Sequence, residues 1–134
     1  MFVKEVISSK KAREMNPVVL AFIGDAVYTL FVRENLALNH DLKTGELNKL
    51  STLKVRASAQ SERMNALLSI LSEDETDIYK RARNAKKPTK AKSASIAEYN
   101  RSTGFEAVIG YLYLTGNTDR LAFLLNYGET TDES

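Results

Sequence analysis

Two carboxylates stand out because each is the single charge in an otherwise apolar stretch. Asp25 lies in LAFIGDAVYTLF, Leu20 to Phe31, and Glu106 lies in FEAVIGYLYL, Phe105 to Leu114. A carboxylate inside an apolar helix is costly unless it is paired, hydrogen-bonded or bound to a metal. For either acid alone an ordinary explanation serves: the helix exposes it at an edge, or restarts after Gly24 with Asp25 as its cap. Two such stretches with one acid each suggest a convergent acidic site. Two carboxylates with few other protein ligands suit Mg²⁺, which keeps several waters and takes one or two protein carboxylates plus substrate phosphate. An ion held in this way polarises a phosphoryl oxygen and lowers the pKa of bound water, which is the chemistry of phosphodiester hydrolysis.

Helices must position both acids. Asn16-Pro17 opens the first, with Asn as its cap and Pro at its first position. The pattern carries this helix to about Glu34, with the segment Asn35 to His40 ending it. Val18, Phe22, Asp25, Thr29 and Val32 share one stripe at helical spacing, so Asp25 is expected to point with Phe22 into the protein rather than to water. A long helix from Thr44 to about Leu71 follows, with Leu47, Leu50, Ala57, Met64, Leu67 and Leu71 as core positions. Ser72 and Glu75 match a capping box and open a short helix ending near Asn84. Lys86 to Ser93, which contains Pro88, reads as a loop. Ser95 and Glu98 form a second capping box, starting the helix that carries Glu106 and ends at Thr115-Gly116-Asn117. A last helix spans about Thr118 to Tyr127, with Gly128 as its terminating residue. On the Glu106 helix, Tyr99, Ser102, Thr103, Glu106, Gly110 and Tyr113 share a face that is small and polar around the acid. Ser102 and Thr103 are candidates to support Glu106 or a metal-bound water. Gly24 and Gly110 each cost a helix roughly 1 kcal/mol against Ala, which close approach of the two acidic helices would offset. With no alternating strand pattern and no internal repeat, the fold class is all-α.

The 134 residues fit one domain with a core that needs no staples. Residues 1–15 read as an arm or short helix, 16–128 as the folded domain and 129–134 as an acidic, flexible tail. Having no cysteine, the chain has no disulfide, thiol nucleophile or zinc–thiolate site. That fits a reducing cytosol, and a cytoplasmic location is expected. The N-terminus has no apolar core of a secretory signal, and no apolar run approaches the roughly 20 residues that span a bilayer. Net charge is only +2, but Lys80 to Lys92, KRARNAKKPTKAK, holds seven Lys or Arg and no acid. Most charge runs are solvated faces, yet an unrelieved run of cations suits the phosphate contacts that dominate nucleic-acid affinity. No aromatic lies between the cations, so a duplex read through its backbone fits better than a base-stacking platform. The candidates are Arg81, Arg83, Lys86, Lys87, Lys90 and Lys92. Arg56, Gln60 and Arg63 follow one helical face that either touches RNA or is solvated, and His40 reads as a loop residue.

Taken together, these motifs resemble a known family. IGDAVY, Ile23 to Tyr28, looks like the signature helix of the ribonuclease III endonuclease domain, and TGFEAVIGYLYL from Thr103 looks like that domain's second acidic helix. RARNAK from Arg81, VRASAQ from Val55 and YNRSTGFEA from Tyr99 resemble the compact subfamily called Mini-ribonuclease III. The likeness runs from about Asn16 to Tyr127. It implies an all-α, ribonuclease III-like helical bundle that works as a homodimer and is not membrane-bound. It also implies Mg²⁺-dependent cleavage of double-stranded RNA, with Mn²⁺ as a substitute ion and maturation of the 23S (large-subunit) ribosomal RNA precursor ends as the role. By the same resemblance Asp25 is the catalytic aspartate and Glu106 shares its metal. The larger enzymes carry further acids where this chain has Ala21 and Thr103, a thinner set that the compact subfamily shares. They also carry a following double-stranded-RNA-binding domain, for which the sequence to Ser134 has no room. Duplex binding is then expected to rest on the catalytic domain and its basic segment. The competing readings are a catalytically inactive helical module that binds double-stranded RNA, and a plain protein-interaction domain.

Overall fold

The computed structural model describes residues 5–87 and 94–128. Seven helices are present among them: α1 (Ser9–Glu14), α2 (Pro17–Asn39), α3 (Thr44–Val55), α4 (Ala57–Leu67), α5 (Glu73–Asn84), α6 (Ile96–Leu114) and α7 (Thr118–Asn126). A 3₁₀ turn, Leu68–Ile70, follows α4, and no strand occurs among the described residues. The all-α expectation therefore holds.

Helix α6 is the axis of the bundle. From Ser102 to Leu112 every residue except Glu106 is buried. A helix that is apolar or small all round can only be stable when enclosed, and α2, α4 and α5 enclose it. Its N-terminus is set by the Ser95–Glu98 capping box and that of α5 by Ser72–Glu75, both as the sequence predicts. Gly116 (φ 72°) and Gly128 (φ 69°) follow the ends of α6 and α7 in the left-handed region. At the crossing of α2 and α6 the two backbones touch. A Cβ on Gly24 would overlap the Glu106 carbonyl, and one on Gly110 would overlap the Leu20 carbonyl. Smaller contacts close the bundle. The Arg120 guanidinium on α7 pairs with Glu75 at 2.8 Å and donates to the Ile70 carbonyl. Arg63 on α4 donates to the carbonyls of Leu124, Leu125 and Tyr127 at the end of α7.

Three expectations are corrected. First, α2 does not stop at Glu34 but continues to Asn39. The Asn35 and Asn39 side chains donate to the carbonyls four residues back, and Leu36 is buried, so the polar segment stays helical. Second, the long helix from Thr44 to Leu71 is broken at Arg56, whose backbone is extended (φ −67°, ψ 157°). There the Gln60 side chain takes the Val55 carbonyl at 2.7 Å. Third, Asp25 and Phe22 do point the same way, but outward: both are exposed, Phe22 at 75%. Helix α2 is apolar on nearly all sides, and the stripe that packs is Leu20, Ala21, Gly24, Tyr28, Val32 and Leu36. Periodicity cannot choose a buried face on a helix that is apolar all round.

Candidate active site

The glycine contact puts the two acids together. Gly24 lies against the backbone carbonyl of Glu106, so Asp25, the next residue, emerges beside the Glu106 side chain. The two carboxyl groups lie close enough for the charge and hydrogen bonding of one to act on the other. Asp25 is exposed, whereas Glu106 is half-buried on the otherwise enclosed α6. Loss of water by burial raises the pKa of Glu106, and the charge and hydrogen bond of Asp25 raise it further, to about 8. The Gln60 side-chain amide, close to Glu106, partly opposes that rise. Glu106 thus retains a proton at neutral pH.

Among the described residues no cluster of three or more His, Cys, Asp or Glu could hold a metal ion. The Ser102 and Thr103 hydroxyls are buried and donate to the Tyr99 carbonyl at 2.8 and 3.0 Å, so their protons are directed along α6.

The basic candidates divide into distinct environments. The Arg81 guanidinium donates to the Arg13 and Met15 carbonyls (2.8 and 3.5 Å) and faces Asp77 at 3.9 Å, which ties α5 to the N-terminal segment. Arg83 stacks over the Tyr79 ring and donates to Asn84. The Lys87 ammonium caps the end of α5 through the carbonyls of Arg83 and Ala85, and burial lowers its pKa. Lys86 is exposed, and Lys90 and Lys92 lie outside the described residues. Gln60 and Arg63 are neither solvated nor presented outward: Gln60 is buried at the acidic pair and Arg63 holds α7. The signal that Gln60 belongs inside is its spacing, since 57, 60, 64, 67 and 71 form one stripe. The flanking arginines hid it.

With this geometry in view, comparisons give a consistent set of likenesses. The family described as the ribonuclease III domain matches residues 18–117. The chain is similar to the Mini-ribonuclease 3 of Clostridium tetani, with 44% identity over 90% of this chain and 80% of that one. It is also similar to the Mini-ribonuclease 3 of Streptococcus pneumoniae, with 44% identity over 84% and 90% of the two chains. The Enterococcus faecalis Mini-ribonuclease 3 is 39% identical over 90% of this chain and 97% of that one. A crystal structure of a protein from Fusobacterium nucleatum superposes with a TM-score of 0.78 at 33% identity, covering 85% of this chain and 91% of that one.

Proposed function

Because this chain belongs to the ribonuclease III family and resembles its Mini-ribonuclease 3 members throughout the bundle, we propose that it is an endoribonuclease that hydrolyses double-stranded RNA with the help of a divalent cation. The observation that carries the reading is the contact between Asp25 and Glu106, made where α2 and α6 meet through Gly24 and Gly110. Two carboxyl groups held in contact, one with its pKa driven to about 8, form a site short of positive charge. Their hard oxygens fit Mg²⁺, or Mn²⁺ in its place, better than a softer ion. Bound there, the ion would polarise a phosphoryl oxygen and make water a better nucleophile. Asp25, exposed to the solvent side, would hold the ion and orient the attacking water. Glu106 would share the ion after releasing its proton.

The bare face of α2 supports a homodimer. Val19, Phe22 and Leu30 are exposed beside Asp25, and Leu38 further along the helix is 83% exposed. Pairing this face across a two-fold axis would cover apolar surface and set a second acidic pair near the first, one for each strand of a duplex. The duplex would be held by phosphate contacts from the basic segment: Lys86, which is exposed, together with Lys90 and Lys92. Precursor large-subunit ribosomal RNA, cut at the ends of the 23S segment, is the substrate the resemblance implies. Among the described residues no helix is long and apolar enough to cross a membrane, and a cytoplasmic site of action suits such a substrate.

The test is digestion of a duplex and of its separated strands, each with Mg²⁺ and with EDTA. Discrete products from the duplex in Mg²⁺ alone support the reading. Retention of duplex without cutting at any Mg²⁺ or Mn²⁺ concentration would make this an inactive RNA-binding relative.

A further inference from the structure

Gln60 carries a buried side-chain atom with no hydrogen-bond partner among the described residues. The side chain is 2% exposed. Its Nε2 donates to the Val55 carbonyl at 2.7 Å, and the same amide lies close enough to Glu106 to lower its pKa. Its Oε1 is enclosed and has no hydrogen-bond partner among the described residues. Leaving a buried acceptor unpaired costs about 1–3 kcal/mol, so an arrangement that keeps one calls for a partner. The bond to Val55 fixes which end of the amide is nitrogen, because only that end can donate to a carbonyl. Oε1 and Nε2 share one carbon, so the unpaired oxygen lies beside the acidic pair.

The chemistry of that oxygen suits one kind of ligand. A carboxamide oxygen is hard and neutral, the donor that Mg²⁺ and Ca²⁺ accept next to carboxylates. No third acid joins the pair among the described residues. The break in the helix at Arg56 turns α4 so that residue 60 faces α6 instead of continuing the line of α3. We propose that Gln60 Oε1 is the third protein oxygen of the cation site, binding a divalent cation held between Asp25 and Glu106, or a water on that cation. This assignment rests on the metal-dependent reading above. The competing account is an ordinary buried water bridging Oε1 to its surroundings with no ion involved.

Mn²⁺ binding to the full chain without RNA separates the two, read from the loss of the free-ion electron paramagnetic resonance signal. Wild type binds Mn²⁺ and Asp25→Asn does not. Gln60→Met, which keeps length and removes the oxygen, binds about tenfold or more weakly, while Gln60→Glu returns affinity to or above the wild-type level. Thermal melts in EDTA distinguish loss of the oxygen from loss of the fold. Should Gln60→Met melt much earlier than wild type, Gln60→Glu decides: wild-type affinity or better supports the assignment, and a tenfold loss overturns it. Equal Mn²⁺ affinity in wild type and a folded Gln60→Met overturns the assignment and leaves the acidic pair standing. Absence of Mn²⁺ binding by wild type overturns it together with the metal-dependent reading.

Discussion

Glu106 is a glutamate that keeps its proton at neutral pH, because burial removes its water and Asp25 adds repulsion and a hydrogen bond. A cation entering the site must displace that proton. Cutting at limiting Mg²⁺ should therefore rise close to tenfold per pH unit below about 8 and level off above it. A pH–rate profile at two Mg²⁺ concentrations checks this, and the slope should shrink at saturating ion. Stability follows the same group with the opposite sign. The unfolded chain ionises Glu106 near 4.5 and the fold only near 8, so the metal-free fold is favoured below 4.5 and loses that advantage as pH rises through the window. In EDTA, the drop in melting temperature between pH 5 and pH 8.5 should be smaller for Glu106→Gln than for wild type. An equal drop would mean that Glu106 ionises normally. Asp25 and Glu106 were legible in the sequence because each is a lone charge among apolar residues. Gln60 was not, since an uncharged residue between Arg56 and Arg63 looks like part of a solvated face. It donates to the Val55 carbonyl, and the Glu106 it lies close to is distant in sequence.

The elements matter through the places where they touch. Helices α2 and α6 meet backbone to backbone at Gly24 and Gly110, and a single methyl there overlaps a carbonyl. Gly24→Ala should cost about 3 kcal/mol by forcing the helices apart. It should also abolish cutting although both acids remain. A denaturant melt with a cleavage assay on the same protein tests both halves of that expectation. A second contact tests packing away from the acids. Glu75, whose side chain is 4% exposed, is held by Arg120 and by the Ser72 cap. Arg120→Met leaves that carboxylate buried and unpaired and should cost about 3 kcal/mol, with little change in the rate of the folded protein. Helix ends were legible where a local signal sets them, as at Asn16-Pro17 and the two capping boxes. The break at Arg56 was not, because it comes from a side chain reaching back to Val55 and from the need to turn α4 onto α6. The outward direction of Asp25 was hidden for a related reason. Helix α2 is apolar on almost every side, and its contacts with α6, α3 and α5 decide which stripe is buried.

At the scale of the molecule, the bare face of α2 is proposed to pair two chains and the basic segment to hold the duplex. Phe22→Glu should convert a dimer to a monomer by light scattering while leaving the bundle folded, because Phe22 is 75% exposed in the single chain. An unchanged mass would place the interface elsewhere. Of the basic residues, Arg81 and Lys87 are occupied by backbone carbonyls, so replacing them mixes binding with stability. Neutralising Lys86, Lys90 and Lys92 together should weaken duplex binding and flatten its salt dependence, by somewhat under one unit of logarithmic slope per lost phosphate contact. An unchanged slope would remove these lysines from the RNA surface. The central claim is that the paired carboxyls cut RNA rather than merely shaping the fold. It is tested most directly by measuring binding and cleavage of one long RNA duplex in Mg²⁺, with wild type and Asp25→Asn side by side. The account predicts that both proteins bind the duplex and that only wild type cuts it, the variant being slower by about three orders of magnitude, several kcal/mol of lost stabilisation. Cutting by Asp25→Asn at the wild-type rate would contradict it.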